Sequence, residues 1–350
     1  MTWVLHVDLD QFLVAVELQR RPELVGLPVV VGGRGDPTER GVASTASYEA
    51  RAYGVYSGTP LRTAAKRLPD TAVFLPVDKP AYDAVSAEVM ATLRSFPVDV
   101  EVLGWDEAFV GPRPESERTD PEVLAEEIRA RVRERTGLTC SVGIGDNKLQ
   151  AKLATAFGKP DGVGRLRSDE WDTVMGPRPV DALWGVGART KARMERLGIR
   201  TVAELAATET TVLAAEFGPR IGPWLRRLGR GADSSPVDPT PWVPRGHGRE
   251  VTLQKDTADW DVVADHAREL ARQVADDIRR EGRPAVRVGV KVRYKPFTTR
   301  QRSLTLPEAT GDADAIAAAA VELLERFDRS RSVRLIGVRA EMTEPSPDDA

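Results

Sequence analysis

The sequence is poor in the residues that form disulfides and transition-metal sites. Of its 350 residues, one is a cysteine, Cys140, and three are histidines that lie far apart in the chain. A single cysteine excludes a disulfide framework and a four-cysteine zinc site, and the scattered histidines exclude the HExxH pattern of zinc proteases. The composition therefore indicates neither a disulfide-stabilised secreted fold nor a histidine-based metalloenzyme.

The chain also lacks a long apolar run and a secretory signal. No stretch approaches the ~20 apolar residues that a membrane span needs. The N-terminus has no basic segment, and Asp8 and Asp10 interrupt its first apolar stretch, which is unlike a signal peptide. We therefore expect a soluble, cytoplasmic protein that works as a monomer and has no membrane partner.

The two halves of the chain carry opposite net charges. Residues 1–184 hold 22 Lys and Arg against 28 Asp and Glu, a net of −6, whereas residues 185–342 hold 28 against 22, a net of +6. Three further acids in 343–350 give the overall charge of −3. An acidic first half is suited to gathering cations, and a basic second half is suited to a polyanion.

The hydrophobic pattern divides the chain into regions. In the first half, short apolar strands such as Val4 to Asp8 alternate with segments of helical spacing, which predicts an α/β or α+β arrangement. Residues 183–199 change to a Gly-x-Gly turn and a short helix, and residues 232–247 contain four prolines without periodicity, which predicts a linker. The last part predicts the order β-α-β-β-α-β, with elements at 249–254, 259–281, 285–294, 299–306, 312–327 and 332–342.

Two acidic pairs accompany predicted strands of the first half. Asp8 and Asp10 stand at the end of the first strand, and period two puts both on one side if that strand continues. Asp106 and Glu107 begin the predicted strand 106–110, which follows an apolar strand at 98–103. Carboxylates at adjacent strand ends can hold two hard divalent ions about 3.5–4 Å apart, the geometry of phosphoryl transfer. Alternatively, each pair caps a helix or lies in a solvated turn.

Two further groups have side chains suited to a phosphate chain. Thr45, Tyr48 and Arg51 lie close in sequence, and the last two share a helix face because they are three residues apart. Arginine can bind phosphate through two hydrogen bonds. Three lysines lie in 148–159, and the last of them, Lys159, stands in a loop as a point charge. The alternatives are a surface Tyr–Arg contact and a solvated basic face.

Together these segments resemble the Y family of DNA polymerases, of the DinB or polymerase IV type. The resemblance covers nearly the whole chain and rests on five strings in the family's order: HVDLDQF (6–12), ASYEAR (46–51), WDEAF (105–109), SVGIGDNKLQAKLA (141–154) and GKPDG (158–162). It implies an α+β, multidomain right hand with a ferredoxin-like palm, small fingers, a helix-hairpin-helix thumb and a β-α-β-β-α-β little finger. The implied bounds are 1–10 and 77–166 (palm), 11–76 (fingers), 167–231 (thumb), 232–247 (linker), 248–342 (little finger) and 343–350 (disordered tail).

The resemblance further implies template-directed DNA synthesis across lesions, with low fidelity and without proofreading. It implies two Mg²⁺ ions as cofactors, with Mn²⁺ as a substitute, held by Asp8, Asp106 and Glu107, which are also the catalytic acids, and by the Leu9 carbonyl. The residues that it implies for the triphosphate are Thr45, Tyr48, Arg51 and Lys159, with backbone N–H groups near Gln11 and Phe12. The family gives Asp10 no catalytic duty, which argues against its pairing with Asp8.

The first basic segment of the second half is suited to DNA phosphates. It resembles a helix-hairpin-helix, in which Gly185 and Gly187 let backbone N–H groups approach a phosphate. Thr190 and Lys191 open the following helix, whose N-terminus favours anions. Residues 185–231 hold nine basic and four acidic residues, which supports this interpretation over a helix-turn-helix that serves only packing. The expected partner is primer–template DNA, bound by its backbone.

A second basic segment lies in the predicted little finger. Residues 283–302 hold seven basic residues and no acid. Three of them are spaced by even numbers and share a strand face, namely Arg287, Lys291 and Arg293. The opposite face, which we expect to lie on the two helices, carries Val286, Val288, Val290 and Val292. A sheet with one dry and one positive face suits a duplex groove, and its binding should weaken steeply with salt; a solvated face is the alternative.

One position departs from the family's pattern. In the family, the second residue of the pair after the DxDx motif is usually aromatic, and its ring blocks a ribose 2′-hydroxyl. Here the pair is Phe12-Leu13. We therefore predict that Leu13 forms an open sugar gate and that both dNTPs and NTPs are substrates. In the alternative, Leu13 is a core residue and Phe12 excludes the 2′-hydroxyl.

Two alternative functions fit parts of the sequence. A palm-type nucleotidyl cyclase shares the paired acids but needs neither a helix-hairpin-helix nor a basic second domain. A DNA-binding Y-family relative that works mainly as a ribonucleotide-inserting, gap-filling enzyme is left open by Leu13. The chain stops at TEPSPDDA without the family's clamp-binding peptide, so we do not expect a sliding clamp to be required. The expected location is the cytoplasm, on the nucleoid.

Overall fold

The computed structural model describes residues 3–116 and 118–345. These residues form two compact units. The first unit comprises Met1–Val31, Ser44–Ser57 and Leu68–Thr240, and the second comprises Gly32–Ala43, Gly58–Arg67 and Pro241–Ala350. The predicted fingers region therefore contributes to both units, and the boundary at Thr240 falls inside the predicted linker.

The strands and helices follow one another along the chain in a mixed order. The strands are β1 (Val4–Leu9), β2 (Val29–Val31), β3 (Thr45–Ala46), β4 (Val73–Leu75), β5 (Val98–Val102), β6 (Glu107–Pro112), β7 (Cys140–Gly145), β8 (Val163–Arg165), β9 (Gly246–Thr257), β10 (Ala285–Tyr294), β11 (Thr298–Thr310) and β12 (Val333–Met342). The helices are α1 (Phe12–Arg20), α2 (Tyr48–Arg51), α3 (Leu61–Arg67), α4 (Lys79–Arg94), α5 (Pro121–Thr136), α6 (Lys148–Gly158), α7 (Trp171–Val174), α8 (Ala188–Arg196), α9 (Val202–Ala207), α10 (Thr210–Phe217), α11 (Ile221–Gly229), α12 (Trp260–Glu281) and α13 (Ala313–Leu324). Within the described part of the chain, none of these helices has the length and apolarity to cross a membrane.

Strand β1 lies at the centre of the first unit's main sheet. The five strands are ordered β5-β6-β1-β7-β8, and β1 pairs antiparallel with both β6 and β7. The alternation of β1 places Leu5, Val7 and Leu9 in the hydrophobic core. His6 and Asp8 therefore face the other side of the sheet, and this side carries the candidate site.

Helix α6 packs closely on the face of the sheet that carries His6. Strand β7 has glycine at the position that pairs with His6, and a Cβ at this Gly143 would lie 2.0 Å from the Ala151 carbonyl oxygen of α6. Glycine is therefore required for the helix to approach the sheet. The side chain of Asn147 caps the start of α6 by accepting a hydrogen bond from Gln150 N–H.

A second small sheet, ordered β3-β2-β4, supports helix α2. Ser47 precedes this helix, and its hydroxyl oxygen accepts hydrogen bonds from Ala50 N–H and from Val29 N–H of β2. The cap fixes both the start of α2 and its distance from the sheet. As a result, the side chains of Tyr48 and Arg51 are presented by a short, capped helix.

Helices α7 to α11 form the last part of the first unit and enclose an apolar cluster of their own. Members of this cluster include Leu166, Trp171, Leu183, Met194, Val202, Leu213 and Leu225. The Trp171 indole N–H donates a 2.8 Å hydrogen bond to the Gly229 carbonyl, which ties the first of these helices to the last. The chain that follows is attached to the main sheet, because Asp238 N–H donates to the Glu101 carboxylate at 2.8 Å.

The second unit contains the predicted β-α-β-β-α-β arrangement. Its sheet is ordered β11-β10-β12-β9, and helices α12 and α13 share a hydrophobic cluster with it. The predicted order of elements is confirmed, although β9 is longer than the expected 249–254 and begins inside the predicted linker. Arg40 also belongs to this unit, where its guanidinium binds the Leu253 carbonyl at 2.9 Å and the Asp256 carboxylate.

Two details of this unit differ from the sequence-based expectations. Val288, Val290 and Val292 are buried against the helices as predicted, but Val286 is only partly buried. The pairing register shifts between Ala285 and Arg287, and this bulge removes Val286 from the alternation. The predicted disordered tail begins too early, because Thr343 N–H donates to the Pro284 carbonyl, whereas residues 346–350 of that prediction lie outside the described residues.

Candidate active site

Two of the predicted metal-binding acids meet across the central strand pair. Asp8 of β1 and Glu107 of β6 are direct cross-strand partners in the antiparallel register. The Asp8 side chain is 20% exposed and the Glu107 side chain is 28% exposed, so solvent reaches both carboxylates on this face of the sheet. Like charges directly opposite each other destabilise a sheet. Such a pair therefore indicates a site that is completed by a cation.

The third acid, Asp106, belongs to the turn before β6. Its backbone carbonyl accepts a 2.8 Å hydrogen bond from Leu9 N–H, which joins this turn to the end of β1. Burial and the nearby negative charges of Asp8 and Glu107 raise the pKa of Asp106 above its usual value, against the opposing charge of Lys159. The structure therefore brings all three predicted acids into one electrostatic cluster.

Two lysines from α6 and its C-terminal end reach into this acidic cluster. Lys159 binds the Asp8 carboxylate, and Lys152, which is one helical turn after Lys148, binds the Glu107 carboxylate. Lys148 instead forms a buried ion pair with Glu101. The acids thus attract cationic groups from two directions. Carboxylate oxygens, which Asp8, Asp106 and Glu107 all supply, are the ligands that hard divalent ions such as Mg²⁺ prefer.

His6 is a member of this site that the sequence interpretation missed. Its Nε2 lies 3.1 Å from Glu107 Oε2 and 3.2 Å from Lys152 Nζ, while its Nδ1 lies 2.8 Å from Thr155 Oγ1. Ligand atoms of His6, Asp8 and Glu107 all lie within 4.8 Å of one another. Burial lowers the pKa of His6, and the contacts from His6 and Lys152 lower the pKa of Glu107 to about 2. The strand period, which puts His6 beside Asp8, could have indicated this role.

Asp10 does not share a side with Asp8, because β1 ends at Leu9. The conditional expectation of a same-side pair is therefore not met. The Asp10 carboxylate is buried, and it accepts hydrogen bonds from Ser141 Oγ at 2.8 Å, Tyr48 Oη at 3.2 Å and Asp161 N–H at 2.9 Å. Its partners are neutral hydroxyl and N–H donors, whereas Asp8 and Glu107 bind lysine ammonium groups.

The residues predicted for the triphosphate lie near the acids in the first unit. Tyr48 N–H donates to the Gln11 side chain at 2.8 Å, and the Arg51 guanidinium stacks on the Tyr48 ring at 4.7 Å. Burial and the charge of Asp10 raise the pKa of Tyr48, so its hydroxyl stays protonated as a donor. Thr45 is half-buried on β3. The Tyr–Arg contact that the alternative interpretation described therefore exists, and the Tyr48 ring lies close enough to Asp10 and Asp8 to feel their charges.

The Phe12-Leu13 pair begins helix α1. Phe12 is 2% exposed, and its ring meets the Tyr82 ring edge-on at a centroid distance of 6.3 Å. Leu13 is 6% exposed and belongs to the same hydrophobic cluster. Gln11 precedes them in a left-handed conformation, with φ of 42°, and its side chain does not cap the helix. Among the described residues, no side chain therefore caps the first N–H groups of α1.

The chain matches three family descriptions along its length. The impB/mucB/samB family matches residues 7–156, the thumb domain of DNA polymerase-iota matches 181–233, and the impB/mucB/samB C-terminal domain matches 244–349. The DNA polymerase IV 2 of Mycobacterium tuberculosis is 48% identical over 97% of this chain and 98% of its own length. The chain belongs to the DinB-type Y family of translesion DNA polymerases.

Other members of the Y family extend the similarity to archaea and to solved structures. The DNA polymerase IV of Methanoculleus marisnigri is 42% identical over 97% of this chain and 94% of its own length. A chimera of the Y-family polymerases Dbh and Dpo4 superposes with a TM-score of 0.87 at 26% identity, covering 97% of this chain and 98% of its own. An insertion ternary complex of Dbh DNA polymerase gives a TM-score of 0.66 at 26% identity over 98% and 100% of the two chains. The α+β right-hand fold and the DNA-directed DNA polymerase class of this chain are thereby confirmed.

The matched thumb region of this Y-family polymerase contains the predicted hairpin. Gly185 has φ of +92°, and a Cβ there would lie 3.0 Å from the Trp224 ring, so only glycine fits. Gly187 precedes α8 and has open space around it. Thr190 lies in the first turn of α8, and the Lys191 ammonium binds the Asp181 carboxylate at 2.9 Å. A phosphate at this helix would compete with Asp181 for Lys191.

The basic face of the Y-family C-terminal domain is less uniformly positive than its sequence indicates. Lys291 pairs with Glu250 of β9 at 2.6 Å, Arg287 lies 3.9 Å from Glu341 of β12, and Arg293 donates to a threonine at 3.0 Å. The acids come from neighbouring strands, which the run 283–302 could not show. A groove of about 470 Å³ lies on this sheet, and residues along it include Gly248, Gly289, Lys291, Gly337 and Arg339.

Proposed function

We propose that this Y-family polymerase adds nucleotides to a primer at the carboxylate cluster of β1 and β6, with low fidelity and without proofreading. The observation that carries the proposal is the register that sets Asp8 opposite Glu107, with Asp106 in the adjoining turn. The repulsion between these acids has a function only if cations occupy the cluster. Template-directed nucleotidyl transfer requires such an arrangement.

The chain's own residues would hold two Mg²⁺ ions through Asp8, Asp106, Glu107 and the Leu9 carbonyl, and Mn²⁺ would substitute. When bound, divalent ions lower the pKa of the attacking 3′-hydroxyl and neutralise negative charge on the phosphates. Glu107 is ionised well below neutral pH because His6 and Lys152 lower its pKa to about 2. It is therefore ready to accept a cation without losing a proton.

The incoming triphosphate would lie between α1 and α2. Tyr48, Arg51 and Lys159 supply one hydroxyl and two positive charges, and Thr45 supplies a second hydroxyl. The start of α1, beside Gln11 and Phe12, offers backbone N–H groups that no side chain caps, and its first turn has no acid. Lys159 would move from Asp8 to a phosphate when nucleotide and metal enter together.

Primer–template DNA would be held by backbone contacts from two segments. In the first, Gly185, Gly187, Thr190 and Lys191 present main-chain N–H groups and a lysine to a phosphate. In the second, Arg287, Lys291 and Arg293 line one face of a four-stranded sheet. We propose that the protein acts as a monomer in the cytoplasm, on nucleoid DNA.

The enzyme would discriminate poorly between a ribose and a deoxyribose on the incoming nucleotide. Leu13 has no ring to lie against a ribose, and Phe12 is 2% exposed with its ring packed on Tyr82. Leu13 packs in the core, as the alternative expects, but the burial of Phe12 argues against Phe12 as the gate and so favours the use of NTPs beside dNTPs. Loss of a steric clash is difficult to replace, because an apolar pocket rejects a substrate that merely adds a hydroxyl only weakly.

A primer-extension assay tests the proposal with the full chain and a labelled primer–template. Extension should require Mg²⁺ or Mn²⁺ and should occur with both dNTPs and NTPs. Asp106→Ala should abolish it, whereas Asp99→Asn, which changes an acid of β5 paired with Arg113, should retain it. Metal-independent extension, or full activity of Asp106→Ala, would refute the proposed site.

A further inference from the structure

The buried acid Asp10 has a set of contacts that the catalytic scheme does not use. It is 2% exposed, and its two carboxylate oxygens accept three hydrogen bonds. Oδ1 accepts from Tyr48 Oη and Ser141 Oγ, and Oδ2 accepts from Asp161 N–H. Hydrogen bonds to a charged acceptor are stronger than neutral ones. Asp10 therefore ties three separate segments together.

One of these segments presents Tyr48, which Asp10 and its neighbour hold at two points. The Gln11 side chain accepts a 2.8 Å hydrogen bond from Tyr48 N–H at the start of α2, and Asp10 accepts one from the hydroxyl at the far end of the ring. The two consecutive residues that follow β1 thus fix both the backbone and the tip of Tyr48. Arg51 stacks on the same ring at 4.7 Å and depends on its placement.

The second segment is the loop that presents Lys159. Asp161 has φ of +49°, a conformation that a non-glycine residue rarely adopts. Its N–H donates a hydrogen bond to Asp10 Oδ2. The Asp161 carboxylate is bound from the other side by Arg129, at 2.8 Å, and by Arg133. The loop is therefore held between two arginines and the Asp10 carboxylate, with Lys159 two residues away.

We propose that Asp10 is a positioning residue for nucleotide binding, which joins the Tyr48 and Arg51 pair to the Lys159 loop. This inference rests on the proposed triphosphate site and adds to it the residue that sets its dimensions. Asp10 contacts neither the metal ions nor the nucleotide. Its loss should weaken nucleotide binding more than it slows the chemical step.

A purely structural role is the competing explanation, and the chain offers a matched control for it. Glu17 is also a buried acid, 1% exposed, and its carboxylate accepts a 3.0 Å hydrogen bond from a tyrosine hydroxyl, that of Tyr82. Arg20 at 2.8 Å and Arg21 at 3.9 Å also contact this carboxylate. Glu17→Gln and Asp10→Asn therefore remove comparable charges from comparable burial. Only Asp10→Asn touches residues proposed for the triphosphate.

The test is steady-state insertion of one dNTP opposite its template base by the full chain. Asparagine keeps the size of Asp10 but replaces one acceptor oxygen with a donor, so at least one of the three donors loses its partner. Asp10→Asn should raise the KM for the dNTP about tenfold while kcat changes by less than about threefold. Glu17→Gln should lower the melting temperature and leave this KM within about twofold of wild type.

Other outcomes decide against the proposal in distinct ways. If Asp10→Asn lowers the melting temperature as Glu17→Gln does and leaves KM unchanged, the role is structural. If it abolishes kcat at unchanged KM, Asp10 serves the chemistry instead. If Asp10→Asn does not fold, Ser141→Ala, which frees the carboxylate to rotate, should still raise KM about threefold, and an unchanged KM refutes the proposal.

A parallel variant separates this proposal from the proposed function. Lys159→Ala removes a proposed phosphate contact and leaves Asp10 and its hydrogen-bond partners in place. If Lys159→Ala leaves the dNTP KM unchanged, the triphosphate site itself is wrong, and Asp10 cannot act through it. If Lys159→Ala raises KM and Asp10→Asn does not, the site stands and the positioning role fails.

Discussion

Asp8 and Glu107 face each other directly across the antiparallel pair β1 and β6. The Lys159 ammonium group binds Asp8 Oδ1, and the Lys152 ammonium group binds Glu107 Oε2. The carboxylates and their turn neighbour Asp106 carry three negative charges at one end of a sheet. His6 and Lys152 stabilise the ionised form of Glu107, but burial and the two neighbouring acids disfavour the ionised form of Asp106, and this charge prepares the site for metal-dependent chemistry.

Neutralising the third acid should make the metal-free protein more stable while it destroys activity. The pKa of Asp106 is raised in the folded state, so its ionised form is less favourable folded than unfolded, and the penalty is present at pH values above its folded pKa. Asp106→Asn should therefore raise the melting temperature at pH 7.5 in EDTA by about 1–3 °C. Scanning calorimetry measures the shift.

The same variant should lose primer extension by more than about 10³-fold with DNA binding retained, because electrostatic stabilisation of the transferring phosphate is lost. Fluorescence anisotropy of a labelled duplex provides the binding control. A lower melting temperature in EDTA for Asp106→Asn would show that the acid stabilises the fold and would contradict its placement in a repulsive cluster.

Restoring an aromatic ring at the sugar gate should restore discrimination. Leu13→Phe is expected to lower kcat/KM for NTPs by at least about tenfold while dNTP insertion changes little, because a ring would clash with the 2′-hydroxyl. Single-nucleotide insertion kinetics with matched NTP and dNTP pairs measure the ratio. A wild-type enzyme that rejects all four NTPs, together with a silent Leu13→Phe, would show that another residue excludes the 2′-hydroxyl.

The salt dependence of DNA affinity should identify the face of the C-terminal sheet that meets phosphates. Each of Arg287→Ala and Lys291→Ala should reduce the slope of log Kd against log salt by about 1. Arg249→Ala is the control, because Arg249 pairs with Asp277 of α12 on the helix side of the sheet at 2.6 Å. Equal slopes for all three variants would remove this face from the DNA interface.

The single cysteine should report on opening of the main sheet. Cys140 is fully buried on β7, and burial raises the pKa of its thiol to about 12. The native protein is therefore expected to resist a thiol-specific disulfide reagent at pH 8, and the denatured protein should react within seconds to minutes. Rapid labelling of the native protein would mean that β7 leaves the sheet readily. We do not expect this, because β7 pairs with the central strand β1.

The sequence predicts much of this fold because its signals are local. The alternation in β1, the Pro-rich linker and the β-α-β-β-α-β order of the second unit all follow from periodicity and turn residues. Val286 was misplaced because a bulge interrupts the alternation, and bulges depend on the partner strand. Glu250 and Glu341, which reduce the positive charge of the basic face, come from strands distant in sequence.

In the candidate site, too, the contacts between segments that are distant in sequence could not be predicted. The acids were predicted to meet at adjacent strand ends, but the exact pairing of Asp8 with Glu107 depends on the register of β1 with β6, which the sequence does not give. His6 was missed although it shares a strand face with Asp8. The contacts of Asp10 were out of reach, since Ser141, Tyr48 and Asp161 converge only after the sheet and α2 have assembled.

The most direct test of the central claim is anomalous scattering from crystals of the full chain with primer–template DNA, a dNTP and Mn²⁺, using a primer that lacks its 3′-hydroxyl. Two peaks about 3.5–4 Å apart, between the carboxylates of Asp8, Asp106 and Glu107, are the result that we predict. Anomalous density elsewhere, or none beside these three acids while nucleotide is bound, would contradict it.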